Sequence, residues 1–437
     1  MDPLTQTISS HDGHTSFIMG AQIARGAFCH VFKEESREKH IIKTFPIYRQ
    51  FARTMRVQCA LSDVKSDARD TIESVTDYGA FTRFDAQTFM PSTLLFVTMP
   101  QYEMSFKKYI TLYIEEHNEG IPALAVITIA RRIFTAISLL DARDIVHGDI
   151  KPGNLMLRAP PIFSPDIVTS FDIVLCDFGS ARFANRATHI CAPSSVGTVP
   201  YIAPEIVIGR TYSSLADIWS AMLVVFFAIG GADLLDVYND SDFDYGDIDM
   251  RTIVPHCDTS ESRDSHKSPS SSVEIEPWSE SANDDSREDA HLSFDERAIE
   301  DINFDEMYAY LLLLYRVIGR PSVIFCEKVA QFYHNGAPRF HTRLQPGTIS
   351  EFFIANYRHI NRDQIREIDH FLSLGLCYAE SSRMRAREIL AHPFLAPPAA
   401  VDAPSADTRS DTEDRESARG SEQLEIPRGQ KKKRGRR

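Results

Sequence analysis

The sequence has 437 residues, of which 43% are hydrophobic, so it is long enough for two packed lobes and apolar enough to bury a sizeable core. Its net charge of −14 is unevenly distributed, because residues 236–305 are strongly acidic whereas residues 431–437 are strongly basic. A chain with this distribution lacks the broadly basic surface of a nucleic-acid-binding protein, so nucleic acid is not an expected partner.

The first hundred residues contain short runs of alternating or β-branched residues that predict a small antiparallel sheet. These runs cover residues 17–24, 29–34, 40–45, 72–84 and 94–99, and one helical stretch, 48–64, interrupts them. Beyond Ser105 the apolar residues recur at helical spacing in 127–142, 218–229 and 307–318. A β-rich first part and a helix-rich second part predict an α+β fold with two lobes and a cleft between them.

Three segments fall outside this pattern. Residues 1–16 are polar and are expected to be flexible, and the acidic stretch 236–305 cannot bury enough apolar surface to offset its ordering entropy, which predicts a disordered insert. Residues 397–437 predict a disordered tail, and we expect its basic end to bind a nuclear-import adaptor. The predicted organisation is therefore a first lobe at 17–102, a second lobe at 103–396 that contains the insert, and the two terminal segments.

The cysteines and the N-terminus predict the compartment. Seven cysteines, an odd number with wide spacing and no C-x-x-C pair, favour reduced thiols over a disulfide framework or a zinc site. The polar N-terminal residues lack the apolar core of a signal peptide, and the longest apolar run, 218–231, is too short to span a bilayer. We therefore expect an intracellular protein, nuclear or cytoplasmic, with no membrane partner.

Four sequence motifs follow one another in an order that is more informative than any of them alone. They are a partial glycine pattern around Gly26 with Lys43 after it, the run H-G-D-I-K-P-G-N at 147–154, D-F-G at 177–179 and A-P-E at 203–205. The ordered set resembles the eukaryotic protein kinase superfamily, of the serine/threonine type, over residues 17–396. The resemblance implies a bilobal kinase fold, with a small antiparallel β-rich lobe and a larger helical lobe, that uses ATP and Mg²⁺ to phosphorylate a protein substrate.

The resemblance assigns roles to five polar residues. It implies that Asp149 is the catalytic base that accepts the proton of the substrate hydroxyl. It also implies that Lys151, at a spacing typical of serine/threonine kinases, reaches the transferred γ-phosphate. Asn154 and Asp177 would supply the oxygen ligands that Mg²⁺ prefers. Lys43 would pair with the α- and β-phosphates of ATP.

Further expected ATP contacts lie in the glycine turn. Compared with the family pattern G-x-G-x-x-G-x-V, the sequence has Ala24, Gly26, Cys29 and Val31, so only the central glycine is retained. Gly26 would allow the backbone to approach the phosphates closely, because it has no side chain. Cys29 is larger than glycine and would stiffen the turn. Ala24, Gly26 and Val31 are the expected nucleotide contacts of this segment.

The hinge and the scaffold also match the family. Met99 is the expected gatekeeper of the nucleotide pocket, and the backbone up to Tyr102 is expected to face the adenine. The resemblance further implies three scaffold contacts, namely a buried Glu205–Arg383 ion pair, a Thr198–Asp149 hydrogen bond and an Asp217 anchor under the catalytic loop.

Two departures weaken the match. The family pairs its strand lysine with a glutamate on the following helix, but this sequence has no Glu between Lys43 and Glu73. Helical spacing nominates Gln58 for that place, with Asp63 as second choice, and a neutral amide would make a weaker hydrogen bond than a carboxylate. Gly148 stands where many kinases have an arginine that binds a phosphate of the activation segment, so we expect activity not to depend on such a phosphate.

The departures leave alternatives open. The leading hypothesis is an active serine/threonine kinase, and the second is a pseudokinase scaffold that acts through protein–protein interactions. A kinase of small molecules fits less well, because A-P-E and the helix around Arg383 are features of the protein-kinase type. Within the superfamily, the sequence resembles both the branch of cyclin-dependent and homeodomain-interacting kinases and the kinases of herpesviruses.

Overall fold

The computed structural model describes residues 6–26, 29–65, 67–84, 91–117, 120–159, 163–164, 167–168, 171–183, 197–207, 213–231, 310–311, 313–315, 317–319, 321, 325, 347–357 and 360–396. All of them lie in the first of the chain's two units, Met1–Ala396, and the second unit is Pro397–Arg437. The acidic stretch 236–305 and the tail 397–437 lie outside the described residues. The expectations for both segments stay predictions.

The first lobe contains a six-stranded antiparallel sheet. Its strands are β1 (Gln6–Ser9), β2 (Ser16–Arg25), β3 (His30–Glu34), β4 (His40–Phe45), β5 (Asp77–Phe84) and β6 (Pro91–Pro100). Their order across the sheet is β1-β2-β3-β4-β6-β5, and every neighbouring pair is antiparallel. The β-like runs of the sequence predicted all of these strands except β1.

The first strand corrects the expectation that residues 1–16 are flexible. Gln6–Ser9 pairs with β2, and Ile8 is buried against Phe17 and Phe96 in the core of the sheet. A four-residue strand with one apolar residue has no periodic signal of its own, so its pairing depends on a partner strand. The ordered part of the first lobe therefore begins before residue 17.

The sheet curls until its two edge strands meet. The His11 amide, just after β1, donates to the Tyr78 carbonyl oxygen of β5 at 2.8 Å. Gly79 on β5 faces β1 so closely that a Cβ there would lie 2.6 Å from the carbonyl oxygen of Ser9. Such an approach is possible only for a residue without a side chain. The curvature brings β1 and β5 together and leaves no long exposed edge between them.

One helix, α1 (Tyr48–Ala60), packs against both lobes. Phe51 contacts the apolar cluster of the sheet, whereas Val57 is fully buried in the core of the second lobe. The helix ends four residues before the end of the predicted stretch 48–64, and a 3₁₀ turn, Asp67–Thr71, follows shortly after it. α1 thus borders the cleft from the side of the first lobe.

The second lobe is mainly helical. Its helices are α2 (Phe106–His117), α3 (Ala123–Asp141), α4 (Pro204–Val207), α5 (Ser214–Gly230), α6 (Ile349–Asn356), α7 (Arg362–Ser373) and α8 (Ala386–Leu390). The described residues between 310 and 318 are also helical, as predicted. The short strands are β7 (Met104–Ser105), β8 (Ile145–Val146), β9 (Leu155–Leu157), β10 (Phe163–Ser164), β11 (Ile167–Val168), β12 (Ile173–Leu175) and β13 (Arg182–Phe183). They form one sheet, β12-β9-β7, and the pairs β8–β13 and β10–β11.

Helix α5 forms the centre of the second lobe. Nearly all of its residues are buried, which explains why the apolar run lacks a polar face. The Ser213 hydroxyl accepts a hydrogen bond from the Leu215 amide at its start, and Gly231, with φ of +76°, ends it in the left-handed region. Among the helices that the structure describes, none is long and apolar enough to cross a membrane. The predicted α+β architecture with two lobes is confirmed.

Candidate active site

The catalytic loop, residues 147–154, follows β8 and rests on the first turn of α5. The Asp217 carboxylate of α5 accepts hydrogen bonds from the backbone amides of His147 at 2.7 Å and Gly148 at 2.9 Å, as predicted for the anchor. Burial raises the pKa of Asp217 to about 7, although these two amides act to lower it. Gly148 has a φ of +76°, which glycine adopts without strain. The loop is thus fixed from below through its backbone.

Four side chains of the cleft converge on Asp149. The Thr198 hydroxyl donates to Asp149 Oδ1 at 2.7 Å, which confirms the predicted contact, and Lys151 Nζ donates to Oδ2 at 2.8 Å and to Thr198 Oγ1 at 2.7 Å. Asn154 Nδ2 donates to the Asp149 carbonyl oxygen at 2.8 Å and to Oδ2 at 3.0 Å. The Asp149 amide in turn donates to Nδ1 of His147 at 3.2 Å. The carboxylate therefore has a fixed orientation at the floor of the cleft.

Asp177 and Lys43 form the contact between the two lobes across the cleft. Lys43 Nζ donates to Asp177 Oδ1 at 2.8 Å; the lysine side chain is 8% exposed, whereas the aspartate side chain is 43% exposed. Burial alone would lower the pKa of Lys43, but the nearby carboxylates of Asp177 and Glu73 outweigh it and raise that pKa. Burial opposes ionisation of Asp177, but the Lys43 ammonium keeps the pKa of Asp177 below its usual value. Both groups are charged at neutral pH.

The segment after Asp177 is packed into the core. Asp177 has φ of 74° and ψ of 71°, in the left-handed region, and the next residue, Phe178, is fully buried with its ring centroid 4.9 Å from that of His147. Burial lowers the pKa of His147, so the imidazole is neutral. Arg53 of α1 donates to the Gly179 carbonyl oxygen at 3.0 Å. The D-F-G segment is therefore held from both lobes.

The glycine turn connects β2 and β3. Ala24 pairs with Val31 across the hairpin, and the Gly26 amide donates to the Cys29 carbonyl oxygen at 2.9 Å. Val31 is opposite Lys43 in the pairing of β3 with β4, so the hairpin lies beside the strand that carries the lysine. Burial raises the pKa of Cys29, so its thiol is neutral. Of the predicted nucleotide contacts, Val31 is thus the neighbour of Lys43 in the sheet, and the contact of Ala24, Gly26 and Val31 with a nucleotide stays a prediction.

The hinge residues occupy two different environments. Met99, 3% exposed, lies in the apolar cluster against which Val31 packs, at the back of the first lobe. The Tyr102 ring packs instead with Val174 and Cys176 of the second lobe. The ring of Tyr102 is therefore occupied by this packing, and the contact of its backbone with an adenine stays a prediction.

The structure contradicts the expectation that Gln58 or Asp63 pairs with Lys43. The Gln58 amide binds elsewhere, because its Nε2 donates to the Glu73 carbonyl oxygen at 3.0 Å and its Oε1 accepts from Arg69 at 2.7 Å. Asp63 lies 3.2 Å from Arg143 in a surface ion pair. The carboxylate that binds Lys43 is that of Asp177, and the negative charge of Glu73, a residue beyond the helix, also favours the protonated lysine.

The scaffold contacts of the second lobe are present. Arg383 binds Glu205 through two hydrogen bonds of 2.7 and 2.6 Å, and its guanidinium lies 5.1 Å from the Trp219 ring. The Trp219 indole donates to the Tyr310 hydroxyl at 3.1 Å, which donates to the Ile202 carbonyl oxygen at 2.8 Å. The predicted ion pair is confirmed, whereas the Tyr310 contact had no signal in the sequence.

Comparisons with known proteins agree with this geometry. The sequence model of the protein kinase domain family matches residues 21–395 of this chain. The chain is 30% identical over 131 residues to the serine/threonine-protein kinase US3 of Human herpesvirus 1, which is 30% of this chain and 24% of that protein. It is 26% identical over 236 residues to the serine/threonine-protein kinase ATG1 of Komagataella pastoris, a match that covers 48% of this chain and 29% of that protein. It is 32% identical over 100 residues to human serine/threonine-protein kinase D2, a match that covers 23% of this chain and 10% of that protein.

The matches to these three relatives therefore span less than a third of each relative's length. The family match, in contrast, covers both lobes and includes the glycine turn, the catalytic loop, D-F-G and A-P-E. The serine/threonine kinases among the relatives agree with the resemblance that the motifs suggested. This chain belongs to the protein kinase domain family.

Proposed function

We propose that this protein is an active serine/threonine kinase that transfers the γ-phosphate of ATP to hydroxyl groups of protein substrates, with Asp149 as the catalytic base. The observation that carries the proposal is the arrangement around Asp149. Its carboxylate is oriented by Lys151, Thr198 and Asn154 and lies beside the lysine that the reaction needs. Such an orientation suits proton acceptance from a hydroxyl brought into the cleft.

The residues of the cleft divide the work of phosphoryl transfer. Asp149 accepts the proton of the attacking hydroxyl, and Lys151, 2.8 Å from it, neutralises negative charge on the transferred phosphate. Lys43 would pair with the α- and β-phosphates, for which its position opposite Val31, the strand residue that follows the glycine turn, is suitable. Ala24, Gly26 and Val31 would cover the phosphates and the ribose.

The adenine end of ATP would lie at the hinge. Met99 closes the back of this pocket with an apolar side chain that is 3% exposed. The backbone of Tyr102 would bind the adenine edge, because the Tyr102 ring is occupied by its packing against the second lobe.

Asn154 and Asp177 would hold Mg²⁺, and their environment fits this task. Asn154 gives its Nδ2 to Asp149, which leaves its carbonyl oxygen for a cation, and the Asp177 side chain is 43% exposed in the cleft. The ion supplies charge neutralisation at the phosphates when it is bound. Among the described residues, no group of three His, Cys, Asp or Glu side chains could hold a metal, so phosphate oxygens would complete the coordination.

A pseudokinase scaffold is the second candidate. Two observations favour it, namely the absence of an acid on α1 and the presence of Cys29 in the glycine turn. We rank it below the enzyme because the sequence retains every side chain that is expected to contact Mg²⁺ and the hydroxyl.

The test is transfer of the γ-phosphate from ATP to a pool of proteins or peptides. Asp149→Asn should lower the rate by about 10²- to 10⁴-fold, because an amide cannot accept the proton. Asp144→Asn is the matched control: Asp144 lies just before the catalytic loop, is exposed, and has a φ of 53°, which asparagine tolerates. Equal rates for the two variants would contradict the proposal, and phosphorylated tyrosine in the products would contradict the substrate class.

A further inference from the structure

Helix α1 begins without the features that usually stabilise a helix start. The residue before its first turn is Ile47, whose side chain has no atom that could accept a hydrogen bond from the helix amides. The first turn contains no acid, and it carries Arg49 near the positive end of the helix dipole. Its first residue, Tyr48, is 67% exposed. The start of α1 therefore depends on packing against neighbouring segments.

Phe51 supplies packing of this kind. Its ring lies edge-to-face with that of Phe45 on β4, with a centroid distance of 5.8 Å, and 6.3 Å from the Tyr78 ring on β5. The three rings belong to the apolar cluster that also contains Met99. Aromatic pairs at such distances stabilise a structure beyond the area that they bury. Phe51 thus joins the first turn of α1 to β5 and to β4, the strand that carries Lys43.

Tyr78 is also contacted by His11, which lies in the turn after β1. The His11 imidazole stacks on the Tyr78 ring, with centroids 5.1 Å apart and an interplanar angle of 29°. The His11 amide donates to the Tyr78 carbonyl oxygen at 2.8 Å, so backbone and side chain bind the same residue. The family match begins at residue 21, so this contact comes from a segment that the family model does not include. Three rings, those of His11, Tyr78 and Phe51, therefore connect this segment with α1.

The turn that carries His11 is held by its own hydrogen bonds. The Ser10 amide donates to the Thr15 carbonyl oxygen at 2.8 Å, and the Thr15 amide donates to the Ser10 hydroxyl at 2.9 Å. The Asp12 carboxylate accepts from the Ser10 hydroxyl at 2.6 Å and from the His14 amide at 2.9 Å. Because these bonds already order the turn, the stack of His11 on Tyr78 costs little further conformational entropy.

The position of α1 matters to the cleft because the helix contacts the D-F-G segment. Arg53 Nη1 donates to the Gly179 carbonyl oxygen at 3.0 Å. Gln50, one turn earlier, lies so near that a Cβ on Gly179 would be 3.6 Å from its side chain. The helix has no acid that could tie it to Lys43. A displacement of α1 would therefore disturb the segment that follows Asp177.

We propose that residues 6–15 hold helix α1 in place, and that His11 is a positioning residue that acts through Tyr78 and Phe51. The proposal rests on the proposed function for its catalytic meaning, because α1 in turn holds the D-F-G segment at the cleft. The family ties this helix to the strand lysine through a glutamate. Here the helix lacks that acid, and aromatic contacts from a segment outside the family match attach its first turn to the sheet.

The first experiment measures hydrogen exchange of the backbone amides in the full-length protein without nucleotide. His11→Ala should make the α1 amides exchange about three- to tenfold faster, the factor that corresponds to the loss of one aromatic pair, and should leave the α5 amides unchanged. His11→Phe keeps a ring for the stack and should stay within twofold of the wild type. The matched control is His14→Ala, which changes another exposed histidine of the same turn and keeps the amide hydrogen bond to Asp12.

A double-mutant cycle tests the path through Tyr78. In a Tyr78→Leu background, His11→Ala should change the exchange of the α1 amides by less than twofold, because its partner ring is already absent. A full three- to tenfold increase in that background would overturn the inference. Equal exchange rates of α1 in His11→Ala and His14→Ala would also overturn it.

The second experiment is kinetic and separates positioning from a structural role. His11→Ala should lower kcat for phosphotransfer to a peptide pool about two- to fivefold, and His11→Phe should restore it. Faster exchange of the α1 amides with unchanged kcat would show that the stack is only structural and would overturn the positioning role. The exchange measurement needs no phosphotransfer, so it tests the support of α1 even if the protein proves to be a pseudokinase.

Discussion

The two walls of the cleft hold their charged groups in different ways. On the wall formed by the catalytic loop, the Asp149 carboxylate receives three side-chain hydrogen bonds, all from residues that match the family pattern. On the wall formed by the first lobe, Lys43 is buried and donates a hydrogen bond to Asp177, and α1 contributes no acid. The wall of the catalytic loop keeps the family's residues at the family's positions, whereas the wall of the first lobe lacks the helical glutamate of the family.

The difference has a physical cause. Proton transfer requires a base at hydrogen-bond distance from the hydroxyl, so the atoms around Asp149 tolerate little displacement. Charge balance around a buried lysine depends on distance and much less on direction, so a carboxylate from another segment can serve. A carboxylate can therefore come from a different segment where only its charge is needed. It cannot where the reaction needs its atoms at exact positions.

The largest expected effect concerns the residue that both walls share. Asp177→Asn should lower Mg²⁺-dependent ATP turnover on the order of 10³-fold or more, because an amide cannot replace the charge that holds the metal. The fold should change little, since the side chain is 43% exposed. Asp172→Asn is the matched control, with a side chain that is 41% exposed and pairs with Arg132 and Arg158 away from the catalytic loop. Near wild-type phosphotransfer by Asp177→Asn would contradict the assignment of the metal site.

A smaller effect is expected on the wall of the first lobe, at the glycine turn. Cys29→Gly should lower KM for ATP about two- to fivefold, because a residue without a side chain lets the backbone of the turn approach the phosphates more closely. Cys29→Ala removes the thiol but keeps the Cβ atom, so its KM for ATP should lie between the values of the wild type and Cys29→Gly. A KM for ATP that rises in both variants would contradict this prediction. It would show that the Cys29 thiol supports nucleotide binding.

The smallest effect on activity is expected far from both walls. Removal of residues 431–437, six of which are basic, should leave kcat and KM within twofold of the full-length values, because every residue assigned to the cleft precedes residue 199. The same truncation should reduce nuclear accumulation of a fluorescent fusion, since a basic cluster binds the acidic surface of an import adaptor. Identical distribution of the two fusions would show that the basic end is not a localisation signal.

The sequence by itself determined the parts that depend on neighbours along the chain. Asp149, Lys151 and Asn154 lie within one loop, so their spacing fixes their mutual distance and the motif predicts their contacts. The periodicity of apolar residues likewise predicted five strands of the first sheet and the helix α5, because each has a face or a full surface that must be buried.

Only the tertiary structure decided contacts between distant segments. The strand β1 exists because Ile8 finds a core formed by β2 and β6, and the Trp219–Tyr310 hydrogen bond joins residues 91 positions apart. Gln58 has helical spacing suited to Lys43, but its amide donates to the Glu73 carbonyl oxygen, and Lys43 binds Asp177 instead. A charge partner is chosen by distance in space, and no pattern along the chain reports that distance until the segments are packed.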